Sequence, residues 1–190
     1  MEDKPTDVNR RTMLQASAGL AIGALAIEQA QAAAAAPPPG KVGEFDFLAG
    51  HWKIRHRQWK SSTRQWDEFD GEATCWSVLG GAGSIEELRI PSRNFSGLGI
   101  RLFEVEKRVW SDFWVGGRDG VLTTPGLTGA FVDGVGSFVA DETEGDAPIK
   151  VRGVWDRITP TSCRWRQGVS RDGGNTWEES WFMDWVRAPA

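Results

Sequence analysis

The sequence predicts an all-β domain, an antiparallel up-and-down barrel of about eight to ten strands. Three observations carry this. From Phe45 onward apolar residues recur at every second position in short runs, and no run keeps the 3.6-residue period of a helix. The runs are separated by explicit turn chemistry: Glu106-Lys107, Asp133-Gly134 between Phe131 and Phe138, and Asp172-Gly173-Gly174-Asn175. The chain also holds eleven tryptophans and no tyrosine, so its core is built from large rigid indoles. Many short antiparallel strands in series must hide their edges, and closure into a barrel does so at this size.

In order, the strands are expected at 52–59, 69–78, 84–90, 99–104, 109–115, 128–132, 135–141, 149–156, 162–170 and 176–187. Alternate residues of a strand face opposite sides of the sheet. Trp52, Ile54 and His56 therefore share a face, as do Trp110, Asp112 and Trp114, then Cys163, Trp165 and Gln167, and then Trp177, Glu179, Trp181, Met183 and Trp185. The opposite parity carries Lys53, Arg55, Arg57, Arg101, Arg152, Arg164 and Arg166. Indoles inside and guanidinium groups in water is the direct reading. A packed core and a partly unfilled, tryptophan-lined cup give the same pattern.

The segment ahead of the barrel has a different character. Asn9-Arg10-Arg11-Thr12-Met13-Leu14-Gln15 is followed by a weakly apolar stretch of small residues and by Ala30-Gln31-Ala32. That order is the n-region, h-region and A-x-A site of an export signal, and the paired arginines resemble the twin-arginine type. Residues 1–32 are thus expected to be a cleaved signal peptide, 33–43 a flexible Ala/Pro spacer and 44–187 the barrel, in a periplasmic or secreted protein. The apolar run is too short for stable membrane insertion. A formal net charge of −4 and a pI near 5.3 give no basic footprint for nucleic acid. Self-association as a homodimer stays open.

A G-x-W stands at Gly50-His51-Trp52, at the start of the first strand. It resembles the lipocalin or calycin superfamily, in which that Trp plugs the closed end of the barrel. More broadly, FDFLAGHW (45–52), WDEFDG (66–71), RLFEVEKRVWSDFW (101–114), FVDGVGSF (131–138), IKVRGVW (149–155) and WRQGVSRDGGNTWEESWFM (165–183) resemble a family of uncharacterised bacterial lipocalin-like proteins. The resemblance covers nearly all of 45–187 and implies a fold without an activity. Haem-binding nitrobindin relatives start with a glycine-rich G-x-W-x-G-x-G. Lys53 and Arg55 interrupt that start here, so neither haem nor another cofactor is expected.

Residues 170–177 (Ser-Arg-Asp-Gly-Gly-Asn-Thr-Trp) match the Asp-box pattern of sialidase propellers. A propeller needs several boxes at a regular period, and one box serves as a hairpin device with Asp172 satisfying turn N–H groups. Two histidines without H-x-H or C-x-x-C spacing imply no metal site. Cys75 and Cys163 could pair in an oxidising compartment or serve as two small buried apolar residues. No G-x-S-x-G, G-x-x-x-x-G-K or G-x-G-x-x-G is present. The sequence therefore points to binding of a small hydrophobic or aromatic molecule in a cup lined by Trp110, Trp114, Trp165, Gln167, Trp181 and Met183. The alternative is a cofactor-independent isomerase, lyase or cyclase that pairs His56 with Asp112 or Glu179, because a histidine and a carboxylate on one inward face can run acid–base chemistry.

Overall fold

A computed structural model describes residues 40–189. It contains ten strands: β1 (Gly50–Lys60), β2 (Gln65–Val78), β3 (Gly83–Ile90), β4 (Phe95–Glu104), β5 (Val109–Gly116), β6 (Leu127–Val132), β7 (Val135–Glu144), β8 (Ala147–Asp156), β9 (Ser162–Ser170) and β10 (Glu178–Arg187). Each pairs with the next in the chain, and β10 returns to β1, so the sheet closes in simple up-and-down order and leaves no edge. The Asp133-Gly134 turn has both residues at left-handed φ (50° and 79°), as a two-residue hairpin of the primed type requires.

The expected signal peptide, 1–32, and the spacer up to residue 39 lie outside the described residues. The remainder of the expected spacer is not loose. Gly40 is buried and donates its N–H to Arg108 O at 2.8 Å, and Gly43 donates to Gly81 O at 3.0 Å. From there the chain crosses one barrel end. Phe45 inserts among Trp110, Phe131 and Phe138 with ring centroids 5.0 to 5.4 Å away. A 3-10 turn, Asp46–Leu48, follows. Its Leu48 carbonyl accepts the Trp52 indole N–H at 2.7 Å. Arg187 of β10 lies 4.3 Å over the Trp52 ring and donates to Ala49 O and Phe47 O, tying the last strand to the plug. This end of the barrel is closed.

Seven tryptophans are buried inside: Trp52, Trp110, Trp114, Trp155, Trp165, Trp181 and Trp185. Trp59, Trp66 and Trp76 face outward, and so does Trp177, where Arg152 stacks on it at 4.2 Å. Most of the expected arginine face is indeed outside, where Arg152, Arg164 and Arg166 share Glu179 and Asp156.

Two expectations of parity are overturned. Arg101 points inward and is completely buried, while Leu98 and Leu102 of the same strand are exposed. On β4 the inward positions are Gly97, Gly99 and Arg101. A Cβ on Gly97 would stand 2.3 Å from the Trp114 ring, and one on Gly99 would stand 3.0 Å from both Arg101 and Glu86. The strand turns its glycines to the interior because an indole and an ion pair occupy the space a side chain would need. The displaced apolar residues line up outside, where Trp76, Ile85, Ile100 and Phe113 are successive cross-strand neighbours.

Glu179 is the second correction. The register of β10 against β9 shifts between Glu179 and Trp181, a bulge that inserts Ser180. Because one extra residue reverses parity, Trp181, Met183 and Trp185 face inward and Glu179 faces out to Arg152 and Arg166. Trp177 lies on the far side of the same shift.

The Phe45 nest joins six aromatic rings from separate parts of the chain, so truncation there opens a cavity at the closed end. Phe45→Ala is expected to lower unfolding free energy by about 3–5 kcal/mol, measured by urea denaturation.

Candidate functional site

The wall of the barrel is weakest between β5 and β6. These strands share only three paired positions, Trp110–Gly129, Ser111–Thr128 and Asp112–Leu127, whereas β1 and β2 share eleven. Past Asp112 the seam is covered by residues 117–126, which fold back over β5. The covering segment is held by the Gly117 N–H to Ser96 O and the Gly120 N–H to Gly116 O, both at 2.9 Å, by the Thr123 N–H to Trp114 O at 2.8 Å and by a bridge between Val115 and Leu122.

Behind that cover lies a recess lined by Asp112, Phe113, Trp114, Thr123, Pro125, Leu127, Glu142, Val151 and Gln167. The recess and its mouth enclose about 400 Å³ of atom-free space, of which about 30 Å³ remains once the width of a water molecule is allowed for. Trp114 and Gln167 bring the expected tryptophan face to this recess. As closed, it falls short of the ~300 Å³ of an ordinary ligand pocket.

Trp114 is set from behind. Its ring lies against Gly97 and is stacked with Phe95 at 6.3 Å and 17°. Gln167, 4% exposed, is carried by β9 opposite Trp181 of β10. Asp112 links the recess to the buried charge beneath it, since Arg101 Nε lies 3.5 Å from its Oδ1 and Arg101 Nη2 donates to Glu86. Burial opposes the charge on Arg101, but Asp112 and Glu86 outweigh it, so the guanidinium titrates above the ordinary arginine value. On its closed-end side the guanidinium meets the faces of Trp155 and Phe45 at 5.0 and 5.3 Å.

The other candidate residues are distributed along the barrel. Trp110 belongs to the closed end, where its indole N–H reaches Glu44 at 3.0 Å and Lys41 O at 3.2 Å. Trp165 and Trp181 meet edge to face at 5.8 Å and 86°, and Met183 is fully buried beside them in the core. Of the six expected binding residues, Trp114 and Gln167 line the recess.

His56 is completely buried. Its Nδ1 accepts the Trp181 indole N–H at 3.2 Å, which requires a lone pair there and makes the imidazole neutral in this arrangement. The ring stacks on Phe69 at 4.6 Å and 7°, and a Cβ on Gly71 would stand 2.5 Å from Nε2. The expected His56–Glu179 pair does not exist, because the β10 bulge puts Glu179 outside. Asp112 is engaged with Arg101, whose Nε lies 3.5 Å from its Oδ1.

Glu86, Arg101 and Glu142 are site residues that sequence parity missed. Arg101 sits on a strand whose alternation favours the other face, Glu86 is a carboxylate on the same face as buried Leu88 and Ile90, and Glu142 extends β7 beyond its expected end. Cys75 and Cys163 are both buried free thiols. Burial raises both, Cys163 to about 12, so neither is a thiolate near neutral pH. The Asp box is a hairpin: Asp172 accepts from Ser170 Oγ, Thr176 N–H and Thr176 Oγ1, and Trp177 donates to Gly174 O.

No known family model and no curated protein matches the chain. Similar solved structures include a redesigned β-barrel, 12% identical with a TM-score of 0.43, covering 79% of this chain and 99% of that one. Another is EF1p2_mFAP2b bound to DFHBI, 12% identical with a TM-score of 0.38, covering 77% and 98% respectively.

Removing Arg101 would strand two buried carboxylates. Arg101→Met is expected to destabilise the fold by about 3–5 kcal/mol in chemical denaturation.

Hydrogen bonds from the Thr176 side chain, the Thr176 N–H and Ser170 hold the Asp172 carboxyl well below the usual carboxylate range. A depressed folded-state pKa contributes stability above the unfolded value, ~3.9, and loses it as pH falls toward the folded value. Asp172→Ala should therefore lower Tm at pH 7, and its gap from the parent should narrow as pH falls below about 4.

Proposed function

We propose that this chain is an exported, lipocalin-like barrel that binds a small, largely apolar or aromatic molecule in the recess at the β5–β6 seam. One observation carries the reading: the wall is thinnest where the inward faces of five strands bring Trp114, Leu127, Val151, Gln167 and two carboxylates together. Binding sites are commonly apolar concavities with a few convergent polar groups, placed at barrel mouths. The lipocalin-like part is supported by Trp52 sealing the opposite end under Arg187. Export is supported by Arg10-Arg11 and the small-residue stretch after them.

The recess is too small, as closed, for a guest of about ten heavy atoms. Residues 117–126 supply the remedy, because beyond Gly120 the cover meets β5 through the Thr123 N–H to Trp114 O bond and the Val115–Leu122 bridge, few enough backbone contacts to open for the cover to lift. Elsewhere the buried indoles pack against one another, as Trp52 and Trp155 do against Trp185 and Trp165 against Trp181.

Titration of ¹⁵N-labelled protein with 2-phenylethanol, 2-phenylethylamine and 3-phenylpropionate tests the reading by NMR. At least one should give saturable shifts at the Trp114 indole N–H and at Thr123, with the Trp52 indole unmoved. Trp114→Ala is expected to weaken that binding about tenfold, ~1.4 kcal/mol, and Val151→Phe, which fills the recess, to remove it. Absence of saturable shifts with all three compounds, or shifts unaffected by Val151→Phe, would overturn the site.

A further inference from the structure

The outside of the barrel is divided between charge and apolar surface. β1, the first half of β2 and β7 to β10 carry outward ion pairs: Lys53 with Glu72, Arg55 with Glu68 and Asp70, Lys150 with Asp141, and Arg152 and Arg166 with Glu179. From the second half of β2 to β5 the outward rungs are apolar instead. The middle rung runs Trp76, Ile85, Ile100 and Phe113 across four strands. On one side of it Leu98 stands opposite Val115. On the other, Val78 and Leu102 close over Gly83, where an added Cβ would stand 2.8 Å and 3.6 Å from them. Across these rungs Glu87 is the one side chain that ionises, and it is bonded to Arg89 at 2.7 Å.

Much of this surface is open to water: Trp76 is 46% exposed, Leu102 42% and Leu98 37%. Leu122, also exposed and bridged to Val115, carries the face onto the segment 117–126. Apolar side chains scattered singly need no explanation, but a contiguous group marks a contact surface. The inverted parity of β4 is its source, since Gly97, Gly99 and Arg101 take the interior and turn the leucines out. A partner on this face would return those leucines to an apolar environment.

Size and charge decide the occupant. Four strands ~4.8 Å apart and three rungs ~6.8 Å apart give the face about 400 Å² in flat projection. A standard interface buries ~800 Å² per partner, of which ~65% is apolar in homodimers. The face therefore has the size of the apolar centre of such an interface, with Thr74, Ser96 and Thr128 at its polar margin. Lipid headgroups and charged partners are held through Lys, Arg, Asp or Glu, which the face offers only as the Glu87–Arg89 pair. An uncharged apolar surface matches another like itself, and a two-fold axis presents the same patch from both sides. We propose that the chain is a homodimer joined through the outer face of β2 to β5. The interface uses the outside of the wall and holds whether or not the recess takes a ligand.

Sedimentation equilibrium of the full chain reads the mass directly. A species of twice 20.9 kDa is expected, with a Kd at or below about 10 µM. The double variant Leu98→Glu, Leu102→Glu sets like charges against each other across the axis and should weaken the dimer at least ~100-fold. Its circular dichroism and Tm should stay close to the parent's, because both positions face water. Trp76→Lys, on another strand, gives the same reading if the double variant misfolds. Val186→Glu, at an exposed valine of β10 outside the face, should leave the dimer intact. A parent chain that is monomeric at about 100 µM, as it would be if residues 1–39 or a different partner cover the face, overturns the proposal. So does growth into species larger than a dimer, a dimer that survives the folded face variants, or one that Val186→Glu disrupts equally.

Discussion

Closure is the constraint on which everything else depends. With β10 paired to β1, the sheet has no free edge and the circumference is fixed at ten strands. Eight strands enclose an interior that ordinary side chains just fill, and width grows with strand number. Ten strands leave a wider space, and this chain fills it with seven buried indoles and a plug built from its own residues 40–48. The abundance of tryptophan is thus a packing consequence of strand count. Phe45 completes the filling at the closed end by packing among Trp110, Phe131, Phe138 and Trp155 from the strands.

The same width explains why a fully buried arginine is tolerated. A guanidinium with a carboxylate on each side and aromatic faces below is a flat, bulky group that occupies core volume with most of its charge matched. Isolated, it would be costly in such a place; enclosed by partners, it becomes part of the fill. Its cost appears on β4, where Gly97 and Gly99 must stay small and apolar Leu98 and Leu102 are left in water.

Much of this was legible in the sequence. All ten strands are where the alternation and turns put them, and Trp52, Trp114, Trp165, Gln167 and Met183 face inward as parity requires. What parity could not carry was a local break in its own premise. Ser180 in β10 adds one residue, and nothing in its chemistry marks it as a bulge, so Glu179 and Trp177 were set on the wrong face. Arg101 was missed for the opposite reason: β4 alternates perfectly, but its inward side is the glycine and arginine side. Hydrophobicity reads that strand backwards, and only the indole and carboxylates contributed by β5 and β3 decide it. Gly40 reads as linker in the sequence, yet it is buried and bonded to Arg108 O at the start of the plug.

Sites that bind need a place where the structure can give, and a closed barrel offers few. Along nine of its ten seams the ladder runs for five or more pairs, so opening there would break several backbone hydrogen bonds together. The β5–β6 seam stops at three. Its missing rungs are replaced by a segment that meets β5 at Gly116, Trp114 and Val115 and β4 at Ser96, beside the Asp112–Arg101 pair. The weakest part of the wall therefore stands over the most polar part of the interior. Local opening draws on the least cooperative contacts of a fold, and here those contacts screen a recess whose lining combines an indole, an amide and two carboxylates. Rigidity everywhere else confines any opening to this point.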